Sequence, residues 1–178
     1  MDFWHRRSEN SAPAARAVPK PSHFPAMSNL FSGDFDIRVL NENGKKFERV
    51  NRLHCRTDDG MEMVVDVNSE LFQVKAHDKL HVQLASTLDT SGVPDDGQYK
   101  PLPKDGSQTD LSEGYDYVMH GRVFLVKHIE NQFLEVQASF GGLLFRLRGE
   151  QQLLDQLHQD QSIFLLMRRQ NDGSSMDL

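Results

Sequence analysis

Three stretches decide the fold: YDYVMHGRVFLVK at 115–127, QFLEVQASFGGLLFRLRGE at 132–150 and SIFLLMRR at 162–169. In the first, Tyr117, Met119, Gly121, Val123 and Leu125 are small or apolar, while Asp116, His120 and Arg122 fall on the other side. That period of two is the mark of a strand with one buried face. A second strand is predicted over Gln132–Phe140, a third over Leu143–Arg148, and a closing one over Ile163–Arg168. Between the last two, Leu153, Leu154 and Leu157 recur at helical spacing, which predicts a short helix capping one end. The pattern is the end of a closed β-barrel, and no catalytic pair converges in it.

Upstream the same rhythm continues. Phe31, Phe35, Ile37 and Val39 alternate with Asp34, Asp36 and Arg38, and Asn43-Gly44 signals a turn. Lys46–Arg56 is predicted as a strand with Leu53 and Cys55 on one face and Arg52, His54 and Arg56 on the other. After the Asp59-Gly60 hairpin signal, Met61, Met63, Val65 and Val67 alternate with Glu62, Val64, Asp66 and Asn68. Lys79–Ser86 turns Leu80, Val82 and Leu84 inward, and Ser69–Asp78 is either a helical turn or an irregular crossover. The domain is therefore all-β: a closed eight-stranded antiparallel barrel over 29–170, with one short helix. A long acidic loop, 88–114, interrupts it. That loop is rich in Gly, Pro, Asp and Ser, too long for a hairpin and too polar to bury, so a mobile excursion is expected.

Residues 1–28 (with SAPAARAVPKPSHFP) have no periodicity and read as a disordered tail, and residues 171–178 as a C-terminal tail. A transit peptide is disfavoured by Asp2, Glu9 and the prolines. Met27 is an alternative translation start. The 178 residues suit one domain with tails, at mean hydropathy −0.57. Cys55 is the single cysteine, which excludes an internal disulfide and a cysteine-built zinc site and suits a reducing compartment. No apolar run approaches the ~20 residues of a membrane span, and an apolar secretory signal core is lacking, so a soluble intracellular protein with no membrane partner is expected. Net charge is −6, with +2 in residues 1–28 and −4 in 88–114. That balance disfavours tight, sequence-blind binding to phosphate backbones, which needs clustered Lys and Arg.

Motif by motif, the bland reading prevails. Gly141-Gly142 lacks the GxxxxGK[ST] and following helix of a phosphate loop, so a tight corner or bulge swinging the strand onward is expected. Gly44-Lys45-Lys46 fails likewise. Cys55 and His54 are strand neighbours on opposite faces, which leaves a buried, inert thiol. The eight histidines form neither HExxH nor a helical HxxxH, Asp34/Asp36 share a strand face without a third ligand, and Asp95/Asp96 lie in a segment of turn composition; no metal, cofactor or catalytic residue is expected. Arg146 and Arg148 share a strand face. Exposed aromatics for base stacking are not apparent beside them, since Phe35, Tyr117, Phe133 and Phe145 look interior or scattered, so a protein-facing role is preferred.

The words YDYVMHGRVF, FGGLLFRLRGE and IFLLMRR, with KKFERVNRLHC and LASTLDTSGVPDDGQYKP before them, resemble the small subunit shared by nuclear RNA polymerases I, II and III, eighth in their common size ranking. The resemblance runs from about Leu30 to Arg169 and keeps the order of all five words. It implies a barrel similar to the oligonucleotide/oligosaccharide-binding fold and no active-site residue. It further implies a non-catalytic assembly subunit on the outside of the polymerase against its largest subunit, in nucleoplasm and nucleolus. Other polymerase subunits are then the neighbours, contact with nucleic acid is indirect, and homo-oligomers are not expected. The partner face is assigned to Gly141, Gly142, Leu143, Leu144, Arg146, Arg148 and Arg168. There the glycines keep a strand edge clear for a partner strand and the arginines supply ionic selectivity. The alternative is a free single-strand-binding barrel; an enzyme is excluded because no nucleophile, base and orienting group can be assembled.

Overall fold

The computed structural model describes residues 29–45, 47–93, 110–129 and 132–170. The strands are β1 (Asn29–Leu40), β2 (Val50–Arg56), β3 (Glu62–Asn68), β4 (Lys79–Ala85), β5 (Tyr117–Ile129), β6 (Phe133–Phe140), β7 (Leu143–Glu150) and β8 (Ser162–Gln170). One helical turn, α1 (Gln151–Leu154), joins β7 to β8. The strands close on themselves in the order β1-β2-β3-β7-β6-β5-β8-β4, every neighbouring pair antiparallel.

Two long strands make the closure possible. β1 pairs with β4 through its first half and with β2 through its second, while β5 pairs first with β8 and then with β6. At the switch in β5 stands Gly121, where an added Cβ would lie 2.3 Å from the Ser139 carbonyl oxygen and 2.5 Å from the Phe140 ring. Only hydrogen fits there. Inside, Phe35, Ile37, Leu53, Val65, Leu84, Phe145 and Leu165 are at most 1% exposed. Phe140 meets Phe145 edge to face at 5.9 Å, a favourable ring geometry.

The two mouths are plugged from the chain itself. At one, Leu154 and Leu157 are buried beside α1, but Leu153 faces solvent: only one turn of helix forms, so the expected three-leucine face is not built. At the other, Ser69–Asp78 is an irregular crossover rather than a helix. It lays Phe72 against Tyr117 at 5.1 Å, and the Asn68 N–H donates to the Tyr117 hydroxyl.

Bulges correct two inward assignments. The β1–β2 register shifts between Ile37 and Val39, so Val39 faces out opposite His54 and Leu40 takes the place opposite Leu53. In β5 the shift lies between Val123 and Leu125; Leu125 then stands opposite Gln137 outside, and Val126 opposite Val136 within. β2 begins at Val50 rather than near Lys46, because Phe47 and Val50 bridge across a turn. The bridge Asp89↔Asp110 closes the neck of the 88–114 excursion, with the Leu111 N–H donating to the Leu88 carbonyl. Residues 94–109, the tails 1–28 and 171–178, and the pair Asp95/Asp96 lie outside the described residues, as does the expectation of mobility there.

Cys55 points inward and is buried, and burial, with Asp36 nearby, pushes its thiol up to about 12. At pH 8 about one thiol in ten thousand is then ionised. The native protein is expected to resist alkylation at Cys55 and to react at the ordinary thiol rate once unfolded in guanidinium, read by mass spectrometry. The sign of the pH effect follows from the raised value: stability is whole below the unfolded thiol's pKa and declines as pH climbs from there toward 12.

Candidate functional site

The outer surface of β2, β3, β7 and β6 is concave. The reason lies in β3, whose outward positions Val64 and Asp66 are 8% and 6% exposed although they point away from the core. The β1–β2 connection shields them, forming with the sheet a cavity of about 250 Å³. Phe47, Val50, Val64 and Leu144 line it with apolar surface; Arg52, His54, Glu42, Gln137 and Arg146 supply the polar rim.

Its floor is held by one carboxylate. Asp66 accepts from Arg52 Nε at 2.7 Å and Nη2 at 2.8 Å, a two-point ion pair, and from the Leu144 main-chain N–H at 3.3 Å. The pairing of β3 with β7 covers only Glu62–Val65, so Asp66 completes with its side chain what the ladder leaves open. The hydrogen bond to Asp66 holds the Arg52 guanidinium above its ordinary pKa. That contribution to stability is lost only at strongly alkaline pH.

The assigned partner residues fall into three places. Leu144 and Arg146 line the groove, and Leu143 and Arg148 flank them on β7. Gly141 and Gly142, with φ of +62° and +96°, form a two-residue turn between the paired residues Phe140 and Leu143. This is a hairpin of the kind that needs positive φ at both positions, not a bulge swinging a strand to another sheet. β7 is paired with β6 along its length and with β3 along part of it, so the free edge expected there for an added strand is absent. Arg168 is elsewhere: β6 and β5 separate β8 from β7, and its guanidinium rests 5.7 Å above the Tyr115 ring.

The arginines differ in electrostatic surroundings. Arg148 stands between Glu62 and Glu135 in register, whereas Arg146 stands between Val64 and Gln137. Among the described residues neither makes an ion pair; Arg148 has a carboxylate directly opposite on each side, whereas directly opposite Arg146 stand Val64 and Gln137, the latter donating to Glu135 at 2.6 Å.

A further cluster escaped the sequence reading. On β1 and β4, His81 Nδ1 lies 2.6 Å from Asp34 Oδ1 and its Nε2 lies 3.4 Å from Ser32 Oγ. A hydroxyl, an imidazole and a carboxylate thus lie side by side on the exposed face of the sheet. The Ser–His separation is longer than an ordinary hydrogen bond, and Asp34, whose side chain is 63% exposed, also accepts from Gln170 at 2.7 Å. The row is part of a surface polar network with Tyr115, which stacks on His81 and donates to Gln83. Among the described residues no group of three or more His, Cys, Asp or Glu could hold a metal, and no helix is long and apolar enough to cross a membrane.

Comparison with known proteins meets this geometry. The family described as RNA polymerase Rpb8 matches residues 33–169. "Probable DNA-directed RNA polymerases I, II, and III subunit RPABC3" of Caenorhabditis elegans is 34% identical over 145 residues, covering 79% of this chain and 95% of the relative. "DNA-directed RNA polymerases II, IV and V subunit 8B" of Arabidopsis thaliana is 34% identical over 143 residues, with the same shares. "DNA-directed RNA polymerases I, II, and III subunit RPABC3" of Saccharomyces cerevisiae is 34% identical over 151 residues, covering 80% of this chain and 100% of the relative. With an eight-stranded barrel, a match across nearly all of it and relatives covered almost end to end, this chain belongs to the RNA polymerase Rpb8 family.

Proposed function

We propose that the chain is a non-catalytic assembly subunit of nuclear DNA-directed RNA polymerase, common to polymerases I, II and III and docked on the largest subunit. The observation that carries this is coverage: relatives named as shared polymerase subunits are matched over 95% and 100% of their length. A subunit common to all three polymerases works in both nucleoplasm and nucleolus.

The barrel suits such a role because its interior is full and its chemistry is on the outside. A wall packed with Phe35, Leu53, Phe145 and Leu165 encloses no substrate. Binding then falls to outward side chains, and β7 presents Leu144, Arg146 and Arg148 on one such face. Since strand addition at β7 is closed off, docking is by side chains across the sheet surface.

The experiment is affinity purification of the tagged protein from nuclear extract, wild type against Arg146→Glu/Arg148→Glu. Wild type should recover the largest subunits of all three polymerases, and the double variant at least ~10-fold less, as expected when opposed charges become like charges at an interface. Undiminished recovery with the double variant would remove β7 from the docking face. The free single-strand-binding alternative predicts instead a steep salt dependence in gel shifts of the isolated protein.

A further inference from the structure

We propose that the groove on the outside of β2, β3 and β7 seats an apolar side chain carried by an acidic segment of a neighbouring polymerase subunit, the segment's carboxylate pairing with Arg146. This rests on the docking function above and adds the chemistry of what docks.

Size comes first. A cavity of about 250 Å³ falls below the ~300–1,000 Å³ typical of small-molecule sites. It has room for an anchoring side chain or two. Its walls are made of Val50, Val64 and Leu144, and beside them Phe47 leaves 64% of its surface in solvent. An aromatic residue exposed at the lip of an apolar hollow gains most when another protein covers it, which is why aromatic anchors dominate the centres of protein interfaces. Val39, 39% exposed and opposite His54, extends the apolar surface toward β1.

Charge then selects the occupant. Arg52 is already matched by Asp66, and His54 lies 3.6 Å from Glu42. Arg148 has Glu62 and Glu135 across from it on either side. Arg146 is left at the mouth between Val64 and Gln137, so the complementary ligand brings one carboxylate close to its apolar anchor. A phosphate backbone would need several such cations in a row. Of the two arginines lining the groove only Arg146 is not already matched by a carboxylate, on a chain of net charge −6.

The test uses assembled polymerase purified from cells that carry a photoreactive phenylalanine analogue in place of Phe47, with the cross-linked peptide identified by mass spectrometry. In parallel, retention on the polymerase through a salt wash is measured for Arg146→Glu, Arg146→Lys, Arg148→Glu and Phe47→Ala. These positions are exposed, and thermal unfolding of each variant at the wild-type temperature verifies the fold. The expected cross-link falls on a peptide with an aliphatic or aromatic residue and an Asp or Glu within about three positions. Arg146→Glu should reduce retention ~10-fold or more and Phe47→Ala ~3- to 10-fold, while Arg146→Lys retains most of it and Arg148→Glu loses less than Arg146→Glu.

Three results overturn the inference: no cross-link from position 47 while the subunit is still incorporated, a cross-linked peptide without a carboxylate, or equal effects of Arg146→Glu and Arg148→Glu. A cross-link to an acidic, apolar peptide of a subunit other than the largest keeps the groove chemistry and removes the docking assignment instead, so the two failures are told apart.

Discussion

Gly121→Ala should destabilise the protein by about 3 kcal/mol, and Gly121→Val should prevent the barrel from closing. The added methyl would sit 2.3 Å from the Ser139 carbonyl oxygen, an atom fixed by the β5–β6 ladder that cannot swing aside. It would also strike the Phe140 ring, which is itself locked against Phe145. Gly149→Ala is the natural comparison, because there the nearest atom is the flexible terminal methyl of Met61 at 2.6 Å. A rotamer change of Met61 relieves most of that clash, so its cost should stay below about 1.5 kcal/mol. Urea denaturation of the three proteins measures the difference. Equal midpoints for the two alanine variants would refute the account of β5 as the strand whose close approach shuts the barrel.

Asp66→Ala should cost about 2–3 kcal/mol although the residue lies on the outward face of its strand. Its carboxylate serves three donors, two from Arg52 and one from the Leu144 main chain. Because the Arg52 side chain is 38% exposed, water compensates part of its loss; the half-buried Leu144 N–H at the start of β7 is compensated less. Asp66→Asn should recover little, since an amide placed there turns one donor toward a guanidinium that can only donate. Arg52→Met with Asp66→Leu, an apolar pair of comparable bulk, should come closer to wild-type stability than either single change. Thermal denaturation of the five variants is the measurement, and near-additive losses in the double variant would show that the pair is not a unit.

The strands were legible because a wall with one buried face writes itself as alternation, and Leu80, Val82 and Leu84 or Met63, Val65 and Val67 are inward as their spacing requires. What alternation cannot reveal is a residue inserted on one side of a ladder. Val39 and Leu125 were placed inward by counting in twos and lie outside, because each follows a bulge that resets the count. Leu153 failed for another reason: its helix ends after one turn, too short to present a face. The adjacent glycines carried a better signal than the one taken from them, since a Gly-Gly pair between alternating segments favours a two-residue hairpin.

The groove was half legible. Leu144 and Arg146 were chosen for their place on β7, and they do line it. Phe47, Val50, Val64 and the Arg52–Asp66 pair were missed, because concavity arises when a connection from one part of the chain lies over a strand from another. One local hint existed: Val64 is an apolar residue on the polar side of β3, and it is covered.

The neck at Asp89 and Asp110 bears on how this chain can evolve. Because a main-chain bridge pins both ends of the intervening segment, its residue count can grow or shrink without moving either flanking strand. Doubling such a span adds only about 0.6 kcal/mol of closure entropy. Novel attachments to other machinery can therefore be grafted at this point while the hydrophobic interior stays as it is.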